Sequence, residues 1–182
     1  MNVINLKLKD ALLIEPNSYP DMRGSFSEDY NKNQFSKIIG KEINFIQDNY
    51  SLSNKNVLRG LHFQKNPKAQ AKLIKVLQGE IFDVIVDIRK SSKTFMQWEG
   101  IYLSSKDRKQ IWIPEGFAHG FLALTDSTEV AYKVTNYYDP KFECIIRYDD
   151  PELDIKWPVQ SKYNVSEKDT NGIFSSEIIS FE

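Results

Sequence analysis

Hydrophobic and polar positions alternate most clearly between Ile81 and Arg89. Phe82, Val84, Val86 and Ile88 fall on one face, while Asp83, Asp87 and Arg89 share the other with Ile81 and Ile85. A period of two predicts a strand with one strongly buried face. Gln78-Gly79-Glu80 reads as a turn and Lys72–Leu77 as the strand before it, so the two strands are expected to form a hairpin. Further short strands are predicted at Ile43–Tyr50, Val57–Phe63, Trp98–Leu103, Gln110–Ile113, Gly120–Leu124, Glu129–Thr135 and Ile145–Tyr148. Turn residues separate them: Ser51-Leu52-Ser53-Asn54, Asn66-Pro67, Ser104-Ser105-Lys106-Asp107, Asp126-Ser127 and Asp139-Pro140. Only Lys32–Ile39 reads as a helix, with one further turn near Ser105–Arg108. Strands about 8–12 residues apart predict a mostly-β sandwich or barrel. No repeat, low-complexity run or Gly/Pro/Ser-rich linker interrupts the pattern, so residues 1–182 are expected to form a single domain. The last dozen or so residues are expected to be a tail or an edge.

The aromatic content of 13% fits pleated, half-buried surfaces. The balance of 24 basic and 25 acidic side chains argues against a nucleic-acid binder, but it leaves room for a local basic pocket. The single cysteine, Cys144, cannot form an intrachain disulfide, which points to a reducing compartment and a cytoplasmic location. The N-terminus lacks the basic-then-apolar layout of a signal peptide. No charge-free run exceeds roughly ten residues, short of the ~20 that a membrane helix needs. Two histidines leave little room for multi-histidine metal chemistry.

Those histidines stand in the most suggestive segments. In Arg59-Gly60-Leu61-His62-Phe63-Gln64 a strand places His62 and Gln64 on one face and Leu61 and Phe63 on the other. The neighbouring Arg59 and the following Lys72 invite an anion. In Ile113-Pro114-Glu115-Gly116-Phe117-Ala118-His119-Gly120 a tight corner explains the Pro and Gly residues but not His119. Gly60-x-His62 and Pro114-x-Gly116-x-x-His119 resemble the first and second cupin motifs. Gln64 stands where a metal-binding cupin would carry another histidine, so the expected chemistry is acid–base without metal. Tyr132 is a weak acid suited to giving a proton to a carbanion; it is expected in a strand beside that of His119. Gln47 and Asn49 share a face and can read the edge of a base or sugar. Asp169 lies in a polar stretch whose plain alternative is a solvated charge cluster. Arg23 occupies an early turn, and arginine matches phosphate oxygens well.

The chain resembles the dTDP-4-dehydrorhamnose 3,5-epimerase family of metal-free cupins, from about Arg23 to Asp169. The matching blocks are Asp21-x-Arg23-Gly24-x-Phe26-x-Glu28, Gln47-Asp48-Asn49-x-Ser51, Val57-Leu58-Arg59-Gly60-Leu61-His62-Phe63-Gln64, Gln70-x-Lys72-Leu73, Gly79-Glu80-Ile81-x-Asp83-Val84, Ile113-Pro114-x-Gly116-Phe117-Ala118-His119-Gly120, Tyr132-Lys133 and Ser166-x-Lys168-Asp169. The resemblance implies a cupin-type double-stranded β-helix, a jelly-roll barrel with a few short helices and no cofactor. It implies a dTDP-linked 4-keto sugar as substrate, with His62 as base, Asp169 as its partner, Lys72 as oxyanion stabiliser and Tyr132 as proton donor. His119 would hold a sugar hydroxyl. Arg23, Arg59 and Lys168 would meet the diphosphate. Gln47, Asn49 and Glu28 would meet the nucleoside, Tyr138 would pack on thymine and Glu143 would contact substrate. It also implies a homodimer whose Arg23–Glu28 segment reaches the partner's site. One departure is Gln64-Lys65-Asn66-Pro67, where relatives often carry two prolines. A 3-epimerase, a 3,4-ketoisomerase, a metal-dependent oxygenase and a non-catalytic nucleotide-sugar binder remain competing readings.

Overall fold

The Glu80–Asp87 strand is buried on both faces, and that fact organises the molecule. The computed structural model describes residues 1–159 and 162–178. Its strands are β1 (Asn2–Asn5), β2 (Leu12–Glu15), β3 (Ser18–Asp21), β4 (Gly24–Ser27), β5 (Gln47–Ser53), β6 (Val57–Gln64), β7 (Lys72–Gln78), β8 (Glu80–Asp87), β9 (Trp98–Ser104), β10 (Gln110–Ile113), β11 (Phe117–Ala123), β12 (Thr128–Val134), β13 (Glu143–Ile145) and β14 (Asn164–Val165). Helix α1 spans Lys32–Ile39 and the single turn α2 spans Glu167–Thr170. One sheet runs β1-β2-β10-β7-β12-β5, and the other runs β13-β6-β11-β8-β9 with β14 parallel to β6. This is the cupin-type jelly roll.

Three apolar layers follow from the alternation. Ile74, Val76, Ile81, Ile85, Ile111 and Phe121 meet between the sheets. Phe82, Val84, Val86 and Ile88 face outward from the second sheet and are covered by Leu153, Ile155 and Trp157 of the C-terminal region. This cover is why β8 has two buried faces where alternation alone implies one. Outside the first sheet, Phe35 of α1 packs with Ile43, Leu73 and Trp112. Asn31 caps α1 by accepting from the amides of Asn33 and Gln34, and Gly40 closes it in the left-handed region.

Two expected pairings fail. β7 and β8 are not a hairpin: β7 lies between β10 and β12, and β8 between β11 and β9. Only Gly79 separates the two strands, too little chain for the usual two-residue reversal, so the link steps from one sheet to the other. Nor does Tyr132 neighbour the strand of His119, since β12 and β11 lie in opposite sheets. The first predicted strand also shifts. Ile43 and Phe45 pack on α1, while pairing with β12 runs through Ser51 and Ser53, residues expected to form a break. The expected C-terminal tail is tied down as far as the described residues reach: Ile173 bridges Ile146, and the Ser175 hydroxyl donates to Asp150 at 3.0 Å.

Candidate active site

The barrel interior divides by chemistry. Apolar side chains fill it toward β2, β10 and β9, and polar ones collect where β5, β6, β12 and β13 approach. A break in β6 makes this possible. His62 lies three positions after Arg59, so a regular strand would point them to opposite faces. In the β6–β11 ladder His62 pairs with His119 and Arg59 with Phe121, so β6 carries one extra residue there. Gly60 takes up the irregularity at φ +121°. A Cβ on it would lie 2.5 Å from the Cα of Gly120, so neither glycine has room for a side chain. Arg59, His62 and His119 therefore share the inward face.

The same irregularity receives Asp169. The Gly60 N–H donates to Asp169 Oδ2 at 3.1 Å, and His62 Nε2 meets Asp169 Oδ1 at 2.7 Å. Asp169 lies on α2, whose Ser166 cap accepts the Asp169 amide at 3.1 Å, and is only 4% exposed. Burial works against its charge, but the His62 hydrogen bond and the Gly60 N–H prevail and hold it below the ordinary carboxylate range. With Nε2 engaged, Nδ1 is the His62 nitrogen left for chemistry.

Lys72 opens β7, is buried, and donates to the His62 carbonyl at 3.3 Å. Burial lowers its pKa to about 8, against the opposing pull of Asp83 and Glu143. Tyr132 comes from β12 in the opposite sheet to His62. Burial raises its phenol, so it stays a neutral donor near neutral pH. Arg59 ties the sheets together by donating to Ser53 Oγ at 3.0 Å and the Leu52 carbonyl at 3.2 Å.

A second set lines the outer edge. Lys168 pairs with Glu143, and the Tyr138 hydroxyl donates to Glu143 at 2.8 Å. The Tyr138 amide donates to Gln47 Oε1 at 3.0 Å, and Gln47 Nε2 to Asn49 Oδ1 at 2.8 Å. Thus His62, Asp169, Lys72, Tyr132, His119, Arg59, Gln47, Asn49, Tyr138, Glu143 and Lys168 form one region. Arg23 and Glu28 stay apart from it. Arg23 sits at the exposed tip of the β3–β4 hairpin bonded to Asp21, and Glu28 accepts from Asn31 and Gln34.

Two further residues matter. Asp83, fully buried, binds His119 Nε2 through Oδ2 at 2.8 Å. Its signal in the sequence is a carboxylate midway between the inward-facing Ile81 and Ile85. Gln64 staples a loop: its amide donates to the carbonyls of Lys68 and Tyr137, and its oxygen accepts the Asp139 amide. Among the described residues no group of three His, Cys, Asp or Glu side chains could hold a metal ion.

The family model described as dTDP-4-dehydrorhamnose 3,5-epimerase matches residues 5–176. The chain belongs to that family. The epimerase of Salmonella typhimurium is 50% identical over 169 residues, 93% of this chain and 92% of that one. The structure of dTDP-6-deoxy-D-glucose-3,5-epimerase from Legionella pneumophila, in complex with dTDP-4-keto-L-rhamnose, is 45% identical. It has a TM-score of 0.93, covering 97% of this chain and 94% of that one. A 3′-monoepimerase from Streptomyces bikiniensis, in complex with dTDP-quinovose, is 30% identical with a TM-score of 0.88, covering 93% and 85%. No helix among the described residues is long and apolar enough to cross a membrane.

Proposed function

We propose that this epimerase-family chain converts dTDP-4-dehydro-6-deoxy-D-glucose to dTDP-4-dehydro-L-rhamnose, moving protons at carbons 3 and 5, and serves dTDP-L-rhamnose synthesis in the cytoplasm. The observation that carries the reading is the His62–Asp169 dyad beside a buried Lys72, with Tyr132 supplied by the opposite sheet. Each carbon flanks the ketone at carbon 4. His62 Nδ1 takes the proton, the C–H electron pair moves into an enolate, and Asp169 stabilises the imidazolium. The Lys72 ammonium faces the enolate oxygen. The Tyr132 O–H then gives its proton to the other face of the carbon, and both side chains reset through solvent. His119 holds a sugar hydroxyl. Arg59 and Lys168 bind diphosphate, Tyr138 stacks on thymine, and Gln47, Asn49 and Glu143 position the nucleotide sugar.

Arg23 and Glu28 fit this scheme in a homodimer in which each hairpin serves the partner's site, the 182 residues acting as one unit. Exposed Tyr19, Met22 and Phe26 on the hairpin and Tyr50, Leu52 and Leu77 on the first sheet support it as surface awaiting cover. Mixing Arg23→Ala and His62→Ala subunits tests the exchange. Mixed dimers regain activity, because one site then carries neither lesion; continued inactivity sinks the exchange.

Substrate in deuterated water, read by NMR, tests the activity. Label at carbons 3 and 5 supports the double epimerase. Label at carbon 3 alone establishes the second reading, a 3-epimerase, which the similarity to the Streptomyces bikiniensis monoepimerase keeps in view. No label sinks both.

A further inference from the structure

Asp83 is a costly residue that the proposed reaction does not use. It sits on β8 between Ile81 and Ile85, fully buried. Oδ2 engages His119 Nε2, and Oδ1 has no hydrogen-bond partner among the described residues. Buried carboxylate oxygens are rarely left so, and each exception asks for a reason. The reason lies in the ring it holds. A carboxylate on Nε2 fixes which nitrogen carries hydrogen and leaves Nδ1 as the bare one.

We infer that Asp83 is a positioning residue of this site: it holds His119 as the neutral Nε2–H tautomer, so that Nδ1 accepts a substrate hydroxyl. This rests on the epimerase reading and sharpens it. His119 becomes an acceptor, selecting sugars that present a hydroxyl donor to it. Burial also disfavours the imidazolium of His119, in keeping with a ring that never takes up the abstracted proton.

Two measurements test the assignment. Nitrogen-15 NMR of the full-length wild-type protein at neutral pH should show His119 protonated on Nε2 and bare on Nδ1. The Nδ1–H tautomer or an imidazolium overturns the inference, and this reading needs no variant to fold. In Asp83→Asn, kcat/KM should fall about ten- to a hundredfold, the scale of one charge-assisted hydrogen bond. Affinity for dTDP, which lacks the sugar, should be unchanged. A lower Tm with kcat/KM unchanged means a merely structural Asp83 and also overturns it. Wild-type protein that incorporates no deuterium would instead count against the epimerase reading, leaving the tautomer result to stand by itself.

Discussion

Two histidine–carboxylate pairs lie side by side in this barrel, with His62 and His119 register partners in the β6–β11 ladder. Each ring presents Nε2 to a carboxylate, at 2.7 Å in one pair and 2.8 Å in the other. Their surroundings differ. The His62 side chain is 34% exposed, and both Asp169 oxygens have hydrogen-bond donors. The His119 side chain is 10% exposed, and one Asp83 oxygen has none among the described residues. An imidazole that must gain and lose charge needs solvent access and a fully satisfied counterion; one that only holds a hydroxyl is better kept dry and neutral. Similar pairs thus suit different tasks, and burial sets the difference.

The largest test of that contrast is removal of each ring. His62→Ala should lower turnover by about 10²–10⁴, the range of general-base catalysis, and lower deuterium incorporation to the same extent. His119→Ala should keep measurable exchange and lose about ten- to a hundredfold in kcat/KM. Equal loss of exchange in both would erase the distinction. Tyr132→Phe comes next: deuterium exchange should persist while net epimerisation falls by about 10²-fold or more, read by following substrate label and product together.

The pH dependence is smaller and has a defined sign. The unfolded chain holds the Lys72 proton to its ordinary 10.5 and the folded site only to about 8. Between these values the unfolded state binds more protons, so this group makes the fold more stable as pH rises. Turnover moves the other way above about 8, because only the ammonium steadies an enolate. Parallel activity and denaturation profiles check both signs. The smallest effect is expected at Ser166. Ser166→Ala removes the cap holding the Asp169 turn and should cost about 0.5–2 kcal/mol in urea denaturation, with no change in the His119 tautomer.

Local signals were well legible. Period two located most strands, and Asn31 to Gly40 bounded a helix close to where it was expected. Both histidine segments stand out along the chain, because Gly and Pro next to a lone histidine are features of neighbouring residues. Long-range pairing was not. The hairpin expected around Gly79 and the neighbouring strands expected for Tyr132 and His119 both failed, because pattern gives each strand a face but not a partner. Resemblance to the epimerase family, more than periodicity, linked Asp169 to His62.

The sequence by itself determined the strand periods, the two histidine motifs and the near-neutral charge that confines anion binding to a few side chains. It did so because these depend on residues close together in the chain. Tertiary structure alone decided that Arg59 and His62 share a face, since that needs an extra residue opposite Gly120. It also brought Asp169 to His62 and Asp83 to His119, because carboxylates 107 and 36 positions away find their imidazoles only once both sheets have closed.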